Sequence, residues 1–170
     1  RLCIHYGVTP PGPGAVHLSV DCGLFRLKWE RHSEFSAYTF IRPVEQGEEW
    51  FAAPPITLPP AAWRSELAGK LLVATHLALR HEPDPPVTTE ALHTLFSVSN
   101  LSGGLVADGV AMVWSDFRTH SDGFTRILAL DQGLRPTQAG RLVQRLLNIE
   151  TYRLMAMLAF PLARQVGSKI

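Results

Sequence analysis

Three groups of residues in this sequence have the types and spacing to do chemistry. In KWERHSEFSAYTF, Lys28 to Phe40, the residues Glu30, His32 and Glu34 alternate. A continuous strand would project all three from one face at intervals of about 6.6 Å. In WSDFRTHSDG, Asp116, Arg118, His120 and Asp122 alternate in the same way, following Met112 and Trp114. In GRLVQR, Arg141 and Arg145 lie one helical turn apart, and Glu150 is spaced to reach Arg153 three residues on.

Carboxylates beside imidazoles offer oxygen and nitrogen ligands suited to zinc or manganese. A histidine next to a carboxylate can move protons near neutral pH. Two arginines near a helix N-terminus can hold a carboxylate or phosphate. Each possibility has a structural competitor. Arg31, Arg118, Arg141 and Arg145 can neutralise the same acids, and that much positive charge opposes a cation site. The spacings H-x-H and H-E-x-x-H are absent. A salt-bridged network therefore ranks above a small-anion or polar-ligand pocket, and that above a metal centre. For residues 112–122 a solvated hairpin end ranks above a pocket wall. Arg141 and Arg145 are expected to pair internally with Glu30 or Glu34. The candidate set is Glu30, Arg31, His32, Glu34, Asp116, Arg118, His120, Arg141, Arg145 and Glu150. No G-x-S-x-G elbow, Rossmann fingerprint or P-loop is present, so no catalytic residue, cofactor or metal is assigned.

The elements that must position these residues follow from local pattern. RLCIHYG reads as the last turns of a helix ending at Gly7, with Pro10, Pro11 and Pro13 beyond it, which suggests a chain cut upstream. AVHLSVD is a strand, Cys22-Gly23 a turn, and LFRLKWERHSEFSAYTFI either one long strand or two joined near Ser33. Residues 42–60 carry five prolines and three acids, and form a long loop that could act as a lid or as a strut. AAWRSELA is a short helix, and KLLVATHLALRH is a strand apolar on both faces, hence central. EPDPP breaks that strand. TTEALHTLF is a second short helix capped by Thr88, and LVADGVAMVWSDFRTHS is an extended segment.

Asp122-Gly123 predicts a two-residue type I′ hairpin. That turn places Met112, Trp114, Asp116, Arg118 and His120 opposite Thr125, Ile127 and Ala129 on one face. Val113, Phe117, Leu128 and Leu130 then form the core face. From Pro136 to Gln165 runs the one long helix, amphipathic at first and apolar all round in its second half, which calls for a covering partner over 154–163. The fold class is α+β: a mostly antiparallel sheet of about five or six strands, short helices, and the long C-terminal helix across one face.

The 170 residues fit one domain, since a chain of about 150 residues buries roughly 70% of its unfolded surface. Sixteen basic against fifteen acidic residues leave a formal charge of +1, too small a field to gather nucleic acid. Two cysteines, Cys3 and Cys22, without C-x-x-C spacing, suit a reduced chain. The start lacks the pattern of a signal peptide. The longest apolar run, LMAMLAFPLA, has ten residues where a membrane-spanning helix needs about twenty, so the stretch is expected to be soluble.

The strings FRLKWERHSEFSAYTFIRP, WSDFRTHSDGFTRIL and AGRLVQRLLNIETYRLMAMLAFPLAR resemble the DUF3422 family, bacterial proteins of unknown function predicted to be membrane-anchored. The resemblance implies a longer protein, with a HARP tetrapeptide upstream and a helical region ending in hydrophobic segments downstream. It implies membrane attachment through segments outside this stretch, and the lack of an export signal adds the expectation of the cytoplasmic side of the inner membrane. The resulting expectation is a noncatalytic interaction or sensing module with a second copy or a partner helix on 154–163. The alternative is an enzyme or a small-anion or metal-binding domain using the Glu/His/Asp/Arg cluster.

Overall fold

The structure is a computed structural model that describes residues 1–45, 47–82 and 86–167, with only the backbone of 162, 163 and 165–167. The strand break expected at EPDPP falls largely outside the described residues. The chain forms two compact units, Arg1–Gly69 and Lys70–Ile170. The fold is α+β, but the strands make two sheets, of three and four strands, where a single sheet of five or six was expected.

In the first unit, helix α1 (Leu2–His5) ends in a Schellman arrangement: the Val8 N–H donates to the Cys3 carbonyl at 2.9 Å and the Gly7 N–H to the Ile4 carbonyl at 3.1 Å. Strands β1 (His17–Asp21), β2 (Arg26–Arg31) and β3 (Ser36–Ile41) form an antiparallel meander. Its register puts Val20, Leu27 and Phe40 side by side, and Leu18, Trp29 and Tyr38 two residues further along the same face. Phe25 and Leu27 are buried there with Leu2 and Cys22, each worth about 1.5–3 kcal/mol for the large side chains. Helix α2 (Ala61–Ser65) seats Trp63 edge-on against Tyr38 and Phe40. Both cysteines are free and buried.

The long loop after β3 is tied to itself. The Arg42 guanidinium binds the Glu48 carboxylate and donates to the Ala53 carbonyl at 2.9 and 2.7 Å, closing the loop on itself.

In the second unit the sheet order is β4 (Thr75–His81), β7 (Thr125–Asp131), β6 (Ala111–Ser115), β5 (Ser102–Val106). β7 and β6, not β4, are the interior strands, and in β7 Ile127, Leu128, Ala129 and Leu130 are all buried. β4 lies at the edge and pairs with β7 in parallel. Two apolar faces report that both faces of a strand are covered, and say nothing about how many strands flank it. Helix α3 (Thr89–Leu95) starts as expected, the Thr88 hydroxyl accepting the Ala91 N–H at 3.2 Å. Helix α4 (Pro136–Gly167) packs against β4, burying Leu142 and Glu150.

Two hairpins differ from expectation. The extended segment 105–121 is folded back by a turn at Ala107-Asp108-Gly109, and β5 pairs with β6. There Trp114 lies over Gly103: a Cβ at 103 would fall 2.1 Å from its Cε3 atom. β6 does pair antiparallel with β7, but Trp114 faces Leu128 and Met112 faces Leu130. The register is displaced because β6 stops at Ser115 and residues 116–124 form a loop. At its tip the Gly123 N–H donates to the His120 carbonyl and the His120 N–H to the Phe124 carbonyl, both at 2.9 Å. Of the tip residues 121–123 Gly123 alone has a positive φ, +83°, as in a three-residue loop closed by a bulge, where a type I′ turn needs two such residues.

Candidate functional site

The first string does not form the alternating edge that its spacing suggests. β2 ends at Arg31, Ser33-Glu34 form the tip of a hairpin, and the His32 N–H donates to the Phe35 carbonyl at 2.8 Å. Glu30 pairs with Lys28, its neighbour on the same face, at 3.0 Å. His32 is exposed and its ring stacks on Phe35 at 4.3 Å, while Arg31 and Glu34 are exposed. Glu30, His32 and Glu34 therefore leave the backbone from different local geometries. Among the described residues no group of three or more His, Cys, Asp or Glu side chains is placed to hold a metal ion.

The second string builds the better site, in the second unit. Ser115 closes β6 with a hydroxyl used twice, donating to the Arg126 carbonyl at 2.8 Å and accepting the Phe117 N–H at 3.1 Å. The chain then passes through Phe117 at φ +54°, a left-handed conformation uncommon for a bulky residue. Phe117, expected in the core, is exposed as a result. Asp116 is 1% exposed and spends its oxygens on three donors. Oδ2 accepts the Ser97 N–H at 2.8 Å, Oδ1 accepts the Arg118 N–H at 3.2 Å, and His120 Nε2 lies 3.1 Å from Oδ2. Burial pushes this carboxyl up, but the Ser97 and Arg118 amides and His120 outweigh it, and hold it below its ordinary value. Beside it, Arg126 donates to the Leu95 carbonyl and to Asp122, each at 3.3 Å. His76 is buried, stacked on Phe124 at 3.9 Å and 3.8 Å from Asp122.

Between the end of α3 and this loop a cavity of about 250 Å³ opens, walled by Thr94, Asp116, Arg118, Thr119, His120 and Arg126. The arrangement fixes a carboxylate and an imidazole next to two guanidinium groups. Among the described residues Arg118 has no ion-pair or side-chain hydrogen-bond partner.

The third string runs along α4. Glu150, 1% exposed, is gripped by Arg153 through two bonds of 2.8 and 2.7 Å, as the spacing predicts. The same guanidinium lies 5.2 Å from the Phe117 ring centroid and 3.5 Å from the Phe117 carbonyl oxygen. Arg141 and Arg145 are exposed and, among the described residues, carry no carboxylate partner. They begin an open groove of about 630 Å³ that continues over Ile149 and Tyr152.

All of the chain, residues 1–170, matches the family described as protein of unknown function (DUF3422). The chain belongs to the DUF3422 family. No curated protein and no solved structure matches it. Membership of the DUF3422 family assigns no chemistry to this chain. Sequence reasoning found Asp116, Arg118 and His120 but missed Arg126, His76 and Ser97. Arg126 was legible as the one cation inside the otherwise apolar run of β7. Ser97 joins the site through a backbone amide, which no residue type announces.

Proposed function

We propose that this chain is a noncatalytic interaction module that docks an acidic amphipathic helix along α4. The observation that carries the reading is a stripe of exposed residues at helical spacing: Arg141, Arg145, Ile149, Tyr152 and Phe160. Side chains three and four apart share a helix face, so the stripe is basic at one end and apolar at the other. Met157 and Leu158 extend the apolar end, each more than half exposed. Leu162 and Ala163, the end of the expected partner surface, lie among the side chains outside the description.

Charge complementarity selects the occupant. α4 carries four arginines against one glutamate, and that glutamate is consumed by Arg153. Two copies of α4 side by side would leave Arg141 and Arg145 without counter-charges in either direction, whereas glutamates on a foreign helix would supply them. A sensing role is supported by the contact of Arg153 with Phe117, because it links the cavity loop to the helix that docks the partner. Membrane attachment, implied by the family resemblance, is assigned on this reading to other segments.

The test uses a synthetic helical peptide with glutamates along one half of a face and leucines along the other, followed by fluorescence anisotropy. Saturable binding that Arg141→Glu with Arg145→Glu weakens by roughly tenfold or more supports the proposal. Sedimentation that shows a concentration-dependent dimer abolished by Tyr152→Asp would assign the stripe to a second copy and overturn it.

A further inference from the structure

We infer that the cavity between α3 and the 116–124 loop is a binding site for a small oxyanion, a phosphate or a short carboxylate, with Arg118 as its principal charge. The inference starts from how Asp116 is spent. A carboxylate two residues from an arginine in the same wall would normally neutralise it. Here both oxygens are aimed elsewhere, at the Ser97 and Arg118 amides and at His120. The backbone N–H of Arg118 is bound by Asp116, while its guanidinium is left exposed at the cavity with no anion beside it among the described residues.

The strained link between them points the same way. Phe117 holds a positive φ that costs on the order of 1–3 kcal/mol for a residue of this kind. It is kept there by the Ser115 hydroxyl on its amide and by Asp116 on the next one. Such strain needs a return, and its local effect is to turn residue 118 back toward the end of α3. The remaining wall suits an oxyanion: the hydroxyl of Thr119, the His120 ring, and the Arg126 guanidinium, itself tied to Asp122. A volume near 250 Å³ equals roughly eight waters, which admits a phosphate or a four-carbon dicarboxylate and excludes a nucleotide lying wholly inside.

The site is independent of the helix partner, and its test needs none. Titrate the chain with inorganic phosphate and, separately, with succinate, following the backbone amides of Ser97 and Arg118 by ¹H–¹⁵N correlation spectra. Saturable shifts confined to residues around the cavity are expected for at least one probe, and which probe acts tells phosphate from carboxylate. Arg118→Met should weaken that binding by about 10–100-fold while leaving the melting temperature in place, since one charge-assisted contact is lost and no internal pair is broken. Arg31→Met, an exposed arginine of the other unit, should change nothing. Absence of saturation with both probes, or equal weakening by Arg31→Met, overturns the site.

Discussion

His76 is the residue whose environment makes the clearest demand. Burial pushes its imidazole below the ordinary value of 6.5, Arg126 adds to that, and the attraction of Asp122 only partly offsets them. The unfolded chain therefore takes up a proton first as pH falls. Stability contributed by the neutral ring is complete above about pH 6.5 and is lost as pH drops toward the folded value. Denaturant midpoints measured between about pH 7.5 and 5.5 should fall. His76→Phe, which keeps a ring against Phe124, should flatten that slope, and an unaltered slope would reject the assignment. Nothing in KLLVATHLALRH announces this role, because the partners Asp122, Phe124 and Arg126 come from about fifty residues away. By contrast Asp116, Arg118 and His120 were legible as a group, since they fall within five residues and one loop holds them together.

Elements were readable where their signal was local. The long helix, the Thr88 cap and the Cys22-Gly23 turn all depend on residues within a few positions of one another, and all form where expected. Strand pairing depended on where β6 stops, which is set by Ser115 and Asp116 bonding to partners distant in sequence, so the register was displaced. Asp108-Gly109 was an available turn signal, outweighed by the second Asp-Gly pair at 122–123. The tightest packing constraint in the smaller hairpin is Trp114 over Gly103. Gly103→Val should displace the indole and cost about 1–3 kcal/mol, seen as a lower melting temperature. Gly104→Val is the matched control, because a Cβ there meets nothing within 4 Å. Equal losses for the two variants would show that glycine content, and not the ring, governs this edge.

At the scale of the whole molecule the sequence disclosed the class and left the division into two sheets hidden, since apolar totals do not say which strands share a ladder. Among the described residues no helix is long and apolar enough to cross a membrane. The stretch between α2 and β4 carries exposed Leu67, Leu71 and Leu72 outside any helix or strand. Brief digestion with chymotrypsin should therefore cut first at these leucines and release two resistant fragments, read by mass spectrometry. Early cuts inside β7 or β2 would contradict two compact units. The position of Trp114 has an optical consequence. The other tryptophans, Trp29, Trp50 and Trp63, belong to the first unit, so the indole on Gly103 is the second unit's only intrinsic fluorophore of its type. Replacing the other three by phenylalanine would leave a chain whose red-edge-excited emission reports the melting of one sheet alone.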